Sequence, residues 1–349
     1  MATTVPPDAL QAPTAIVIRA PNWLGDLLIG TAFIQAVLQR FPGIPVDVIV
    51  PRAFQVLPLP HRGRLLPFDR TTDSPGRMGR RLRGQGYSHF FVLPPSLSSA
   101  WMAFRSGVPH RIGYRGQLRG WLLRPALKHR FTPRSVHLSR EYLGLLGPWM
   151  DLDGDDIDGA EPAAHLPLPP GWVEHHLPAA LAEIGAQGES YVVLVPGAEY
   201  GPAKQWPVEH YRETAAALHR AGRRVVVDGL EKHRSMGDAI VAGLDGALNL
   251  CGETGVEALV ALISRAGLVI SNDSGAMHMA AALQRPQIAL FGSTNPTWVA
   301  PLNSKAHVFT RNEHCSPCYA RSCPLEHHRC LRELAPGPVI EKALTLLPP

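Results

Sequence analysis

The stretch Ala15-Ile16-Val17-Ile18-Arg19-Ala20-Pro21-Asn22-Trp23-Leu24-Gly25-Asp26 decides the reading of the fold. Ala15 to Arg19 is a short apolar run, and Pro21 to Asp26 has the composition of a turn. From Leu27 the spacing of Leu27, Ile34 and Leu38 puts apolar side chains near one face of a helix. Phe41-Pro42-Gly43 stops that helix, and Val46 to Val50 supplies a second strand. Strand, helix and strand in this order form a βαβ unit, which builds a parallel sheet with helices on both faces.

The same alternation returns in the second half. A strand at Tyr191 to Val195 leads to a Gly/Pro loop and a helix from Val208 to Arg220 that ends at Gly222. Val225 to Val227 is the next strand. A helix over Val256 to Ala266 precedes a strand at Leu268 to Ser271, a short helix at Ala276 to Leu283 and a strand at Gln287 to Phe291. Between Arg52 and Ser135 only Tyr87 to Leu93 reads clearly as a strand, because Pro, Gly and Arg interrupt the pattern. The segment from Asp151 to Pro170, acidic and then Pro-rich, reads as an exposed connection. The expected division is residues 1–172 and 173–349, each a Rossmann-like, doubly wound α/β domain.

A chain of 349 residues is long enough for two domains of ~150 residues each. With 45% hydrophobic and 18% charged residues it is globular rather than disordered. No apolar run approaches the ~20 residues of a spanning helix. Met1 to Pro13 lacks the features of a secretory signal, so a cytoplasmic location is expected. The net charge of +5 hides an asymmetry. Arg52 to Arg140 carries 17 basic and two acidic side chains, a surplus of +15, which leaves −10 on the remainder. Such a segment suits an acidic partner: nucleic acid, an anionic membrane surface or a phosphorylated substrate. Aromatic residues are only 7% and do not interleave with the arginines as stacking platforms do, so nucleic acid is not the expected partner.

In doubly wound sheets ligands bind at the carboxyl ends of the strands, and three loops hold that position. The first carries Asn22, Trp23, Gly25 and Asp26; a carboxylate at a helix start serves either as a cap or in chemistry. The second runs from Pro196 to Pro207 and includes Gly197 and Lys204. Its glycines allow close backbone approach and its lysine suits phosphate oxygens, although it has neither the P-loop nor the GxGxxG spacing. The third is Ser271-Asn272-Asp273-Ser274-Gly275-Ala276-Met277-His278. Asp273 or Ser274 caps the following helix in this reading, leaving an anion pocket beside Gly275, with His278 either facing that pocket or buried. Gly292-Ser293-Thr294-Asn295-Pro296 adds donors on the same edge. A carboxylate on one domain and Gly, Lys, Ser, Thr and His loops on the other suit group transfer from a nucleotide-activated substrate.

Four of the five cysteines form Cys315-x2-Cys318-x4-Cys323-x6-Cys330, with His314, His327 and His328 nearby. Four thiolates, or three and an imidazole, suit a structural zinc; free thiols and disulfides are the alternatives. Cys251 stands apart and reads as a buried core residue.

Taken together, Ala20 to Asp26, Pro196 to Pro207, Ser271 to His278 and Phe291 to Pro296 resemble the motifs of the ADP-heptose:lipopolysaccharide heptosyltransferase family, in the same order along the chain. The segment 315–330 is similar to the tail of the branch that adds the second inner-core heptose. The resemblance implies a GT-B fold, two Rossmann-like domains facing a cleft, with the acceptor on the first and ADP-heptose on the second. It implies an inverting transfer that requires no cofactor for catalysis. It makes Asp26 the general base and Lys204 a catalytic cation near the donor diphosphate. Gly197, Asp273, Ser274, Gly275 and His278 help to hold the donor, and Glu231 is a candidate for the nucleoside ribose. The implied acceptor is Kdo-lipid A carrying one heptose, met at the inner face of the plasma membrane, where the basic segment favours an anionic surface. A relative that adds the first heptose, or that uses another nucleotide-activated sugar, is the alternative.

Overall fold

The computed structural model describes residues 11–149, 163–181 and 190–347. The chain divides into two compact units, Met1–Leu166 and Pro167–Pro349, so the division falls inside the expected connection. The acidic part of that connection, residues 151–158, lies outside the described residues, as does most of the N-terminal segment read for a signal.

In the first unit the strands are β1 (Ile16–Arg19), β2 (Val46–Pro51), β3 (Leu65–Phe68), β4 (His89–Val92), β5 (His110–Tyr114) and β6 (Ala126–Leu127). They lie in the order β3-β2-β1-β4-β5-β6 and pair in parallel throughout. The second unit has β7 (Tyr191–Val195), β8 (Arg224–Val227), β9 (Leu248–Asn249), β10 (Leu268–Asn272), β11 (Gln287–Phe291) and β12 (Ala306–Thr310). Their order is β9-β8-β7-β10-β11-β12, again all parallel. The two units therefore repeat one topology, and each is the doubly wound sheet expected. In each, the strand order reverses next to the first strand, between β1 and β4 and between β7 and β10. The loops leaving those four strands diverge there and open a crevice at the carboxyl edge.

Strands β7 and β10 are buried at every position, which suits parallel strands covered on both faces. Around them Trp206, Tyr211, Leu218, Val225, Ile288 and Leu290 form one continuous core. The first unit packs Val17, Ile49, Phe90, Met102 and Ala103 in the same way.

Most elements of the second half lie within a residue or so of expectation, the helix Val208–Arg220 at both ends. The Arg52–Ser135 region differs most: it contains β3, β5, β6 and helices at Pro75–Leu82 and Leu97–Ser106. These were masked by glycines that serve helix contacts rather than turns. A Cβ on Gly79 would lie 2.4 Å from the Met102 carbonyl oxygen, so the two helices approach closely only because that position is glycine. No helix among the described residues is long and apolar enough to cross a membrane.

Candidate active site

The first candidate residue sits where β1 ends. The helix that follows runs from Leu24 to Arg40, three residues earlier than its apolar spacing indicated, which puts Asp26 in its first turn. Trp23 occupies the N-cap position in extended backbone and makes no side-chain cap. Asp26 is half-buried, and its negative charge, after burial itself, raises the pKa of the fully enclosed Tyr142 phenol. The Trp23 indole is exposed beside it.

In the second unit three loops converge on one carboxylate. The loop after β7 carries Lys204, whose Nζ lies 2.5 Å from Asp273 Oδ2 on the loop after β10. Thr294, after β11, donates its hydroxyl to the same oxygen. The loops are also tied through their backbones. Asn272 donates from Nδ2 to the Pro196 carbonyl and accepts at Oδ1 from the Trp206 amide. The Lys204 ammonium further lies 5.0 Å from the centre of the Tyr200 ring, a cation–π contact. With 14% and 6% of their side chains exposed, Lys204 and Asp273 are a nearly buried ion pair.

The capping expectation is corrected here. Ser274 is at the N-cap of the helix Gly275–Ala282, but its side chain makes no cap, and Asp273 is committed to Lys204 and Thr294. The Ser274 hydroxyl is buried with no hydrogen-bond partner, and so is the hydroxyl of Ser293 on the adjoining loop. Buried hydroxyls are normally satisfied, so these two orphans beside one charged cluster set the loops apart from ordinary packed turns. Gly275 is the first residue of the helix, whose amides point the same way. His278 is buried on that helix at 5% exposure, the second of its two expected placements.

Gly197 has a steric role: a Cβ there would lie 2.2 Å from Nδ1 of His233. Glu231 starts the short turn after β8, largely exposed, and pairs with Arg234 at 3.3 Å. The neighbouring Lys232 reaches Glu199 on the β7 loop at 2.9 Å.

Sequence reasoning missed Asp228, just after β8. It is buried, accepts a hydrogen bond from Thr254, and burial pushes its pKa up to about 6. Its only signal was a carboxylate ending a Val-rich strand. Tyr200 stood only within a motif, and Thr294 only among the donors of its loop.

The five cysteines are free thiols. Cys251 is fully buried as expected. In the segment 315–330 the Cys315 sulfur lies 3.9 Å from Nε2 of His327. Among the described residues, no group of three or more His, Cys, Asp or Glu side chains is arranged to hold a metal ion. After burial itself, the nearby thiols of Cys315, Cys318 and Cys323 raise the pKa of Cys330. The segment also braces the loops above: Tyr319 donates its amide to the Ser293 carbonyl, and Ala203 donates to that of Arg321.

Comparison with known proteins gives this geometry a family. Residues 76–329 match the model of glycosyltransferase family 9 (heptosyltransferase). The chain belongs to glycosyltransferase family 9. This family 9 enzyme is 31% identical to lipopolysaccharide heptosyltransferase 2 of Salmonella typhimurium, over 95% of the chain and 98% of the relative. The corresponding protein of Escherichia coli is 30% identical with the same coverage. Among solved structures, E. coli ADP-heptose LPS heptosyltransferase II superposes with a TM-score of 0.78 at 29% identity, covering 95% and 98% of the two chains. E. coli heptosyltransferase WaaC with ADP, at 18% identity and a TM-score of 0.70, shares the fold. The two Rossmann-like units expected of a GT-B glycosyltransferase are thus present.

Proposed function

We propose that this glycosyltransferase moves a heptose from ADP-L-glycero-β-D-manno-heptose to the heptose already on the inner core of lipopolysaccharide. The observation that carries the reading is the Lys204–Asp273–Thr294 cluster, with the Ser274 and Ser293 hydroxyls orphaned beside it at the β7/β10 crevice. That arrangement suits the oxygens of a diphosphate, and near-full-length likeness to heptosyltransferase 2 enzymes supports the sugar.

In this reading Asp26 takes the proton of the acceptor hydroxyl as that oxygen attacks the anomeric carbon. The bond from that carbon to the diphosphate oxygen breaks, and ADP leaves with the electron pair. Lys204, shared between Asp273 and the diphosphate, stabilises the developing charge. The Ser274 hydroxyl and the helix start at Gly275 hold phosphate oxygens, His278 and Gly197 shape the pocket behind them, and Glu231 meets the ribose. The side chains supply every step, so the transfer requires no cofactor. The acceptor, Kdo-lipid A with one heptose, is met at the inner membrane surface from the cytoplasmic side, with the basic residues of 52–140 facing anionic groups.

The test is ADP release from ADP-heptose with acceptors carrying no heptose and one heptose. Release with the mono-heptosylated acceptor alone supports the reading. Release with the heptose-free acceptor instead assigns the first transfer, and no release with either overturns the activity.

A further inference from the structure

The first unit holds a second feature at its own crevice, a cavity of about 180 Å3 lined by Arg19, Asn22, Arg70, Pro75, Ser98 and Ser99. Arg19, the last residue of β1, is 1% exposed. Its guanidinium donates to the carbonyls of Ala20 and Ile49 and to Oδ1 of Asn22, all neutral acceptors. Its Nε is buried without a partner. The Phe68 ring lies 5.2 Å from the guanidinium carbon. Burial, and then the charge of Arg70, lower the Arg19 pKa to about 10.

Such a charge is held without a counter-ion. Neither Arg19 nor Arg70 takes part in an ion pair among the described residues. The two acids of the basic segment are engaged elsewhere: Asp73 pairs with Arg52 and sits near Arg81, and Asp69 accepts from the amide and hydroxyl of Thr71. Two helices start at the same cavity. Pro75 opens the helix Pro75–Leu82, and Ser98 and Ser99 lie in the first turn of Leu97–Ser106. Both present the positive end of a helix dipole. A buried, uncompensated guanidinium is costly in general, and an anion in the cavity it lines offsets that cost.

We propose that this cavity is an anion subsite that takes a carboxylate or phosphate group of the acceptor, held by Arg19 and Arg70 and by the Ser98–Ser99 turn. The assignment to the acceptor rests on the function proposed above. Asn22 lines the cavity and lies on the same β1 turn as Asp26, so an acidic group bound there belongs to the molecule whose hydroxyl meets that base.

The experiment is steady-state kinetics of the full-length protein and its Arg70→Gln variant, chosen because Arg70 is exposed and its replacement spares the fold. Three acceptors are compared: the intact acidic acceptor, one with its sugar carboxylate reduced to an alcohol, and one with its phosphates removed. On the intact acceptor the variant should raise the acceptor KM about 10- to 100-fold, the range of a lost charged hydrogen bond, with the KM for ADP-heptose unchanged. The difference between variant and wild type should vanish on one of the two altered acceptors, which identifies carboxylate or phosphate as the group bound. An unchanged acceptor KM, or a defect that persists on both altered acceptors, overturns the proposal. If the wild-type protein transfers to no acceptor, the proposed function has failed instead. The subsite is then read with inorganic phosphate, which should raise the Tm of wild type and not of Arg70→Gln; no shift in wild type overturns it.

Discussion

Lys204 Nζ lies 2.5 Å from Asp273 Oδ2, which joins the loop after β7 to the loop after β10 across the reversal of strand order in the second unit. The contact holds the donor-side loops together, and it also neutralises the cation that the leaving group needs. Removing one member of a nearly buried pair leaves the other charge without compensation. Asp273→Ala should therefore lose about 3 kcal/mol of stability. The double variant Lys204→Met/Asp273→Leu should recover most of that loss in urea unfolding while ADP release stays abolished. Recovery of activity along with stability would show the pair to be structural only.

Asp26 sits in the first turn of its helix. Asp26→Asn should reduce kcat by about 100- to 10,000-fold, the range of general base catalysis, with the KM for ADP-heptose unchanged. Near-normal ADP release by this variant would remove Asp26 from the mechanism.

Asp228 gives a pH signature. Burial raises its folded pKa from 3.8 to about 6, so between those values the folded chain keeps a proton that the unfolded chain has lost. Stability falls as pH rises through that window and levels off above it, by about 3 kcal/mol in total. Asp228→Asn should flatten this component of the urea midpoint measured from pH 4 to 7. A variant profile parallel to wild type would place the titration elsewhere.

The cysteines should behave as thiols of unequal reactivity. Cys318 is exposed, whereas burial, followed by the nearby thiols of Cys315, Cys318 and Cys323, raises the Cys330 pKa. Mass spectrometry after brief alkylation should find Cys318 labelled early and Cys330 late. Metal analysis of protein purified without added zinc tests the spacing of Cys315, Cys318, Cys323 and Cys330: one ion per chain supports a structural site, and no stoichiometric metal sinks it.

The segments most legible in the sequence were those whose local pattern and tertiary role agree. Val208–Arg220 is amphipathic and ends next to Gly222, and residues 288–291 of the strand Gln287–Phe291 are a continuous apolar run. The region from Arg52 to Ser135 was opaque because Gly76 and Gly79 read as turn residues. Their purpose, letting two helices touch, exists only once the partner helix is in place. Gly197 shows the same long-range cause: the ring that excludes a side chain there comes from His233, 36 positions along.

By itself the sequence determined the two parallel sheets, the loops that carry the chemistry, and the candidates Asp26, Lys204 and Asp273. These follow from apolar periodicity and from polar residues placed at strand ends, both of which are local. Only the tertiary structure decided that Lys204 is paired with Asp273, that Thr294 joins them, and that Arg19 is buried without a counter-ion. Those are long-range facts: each depends on which loops the order of strands brings together and on how much water their packing removes.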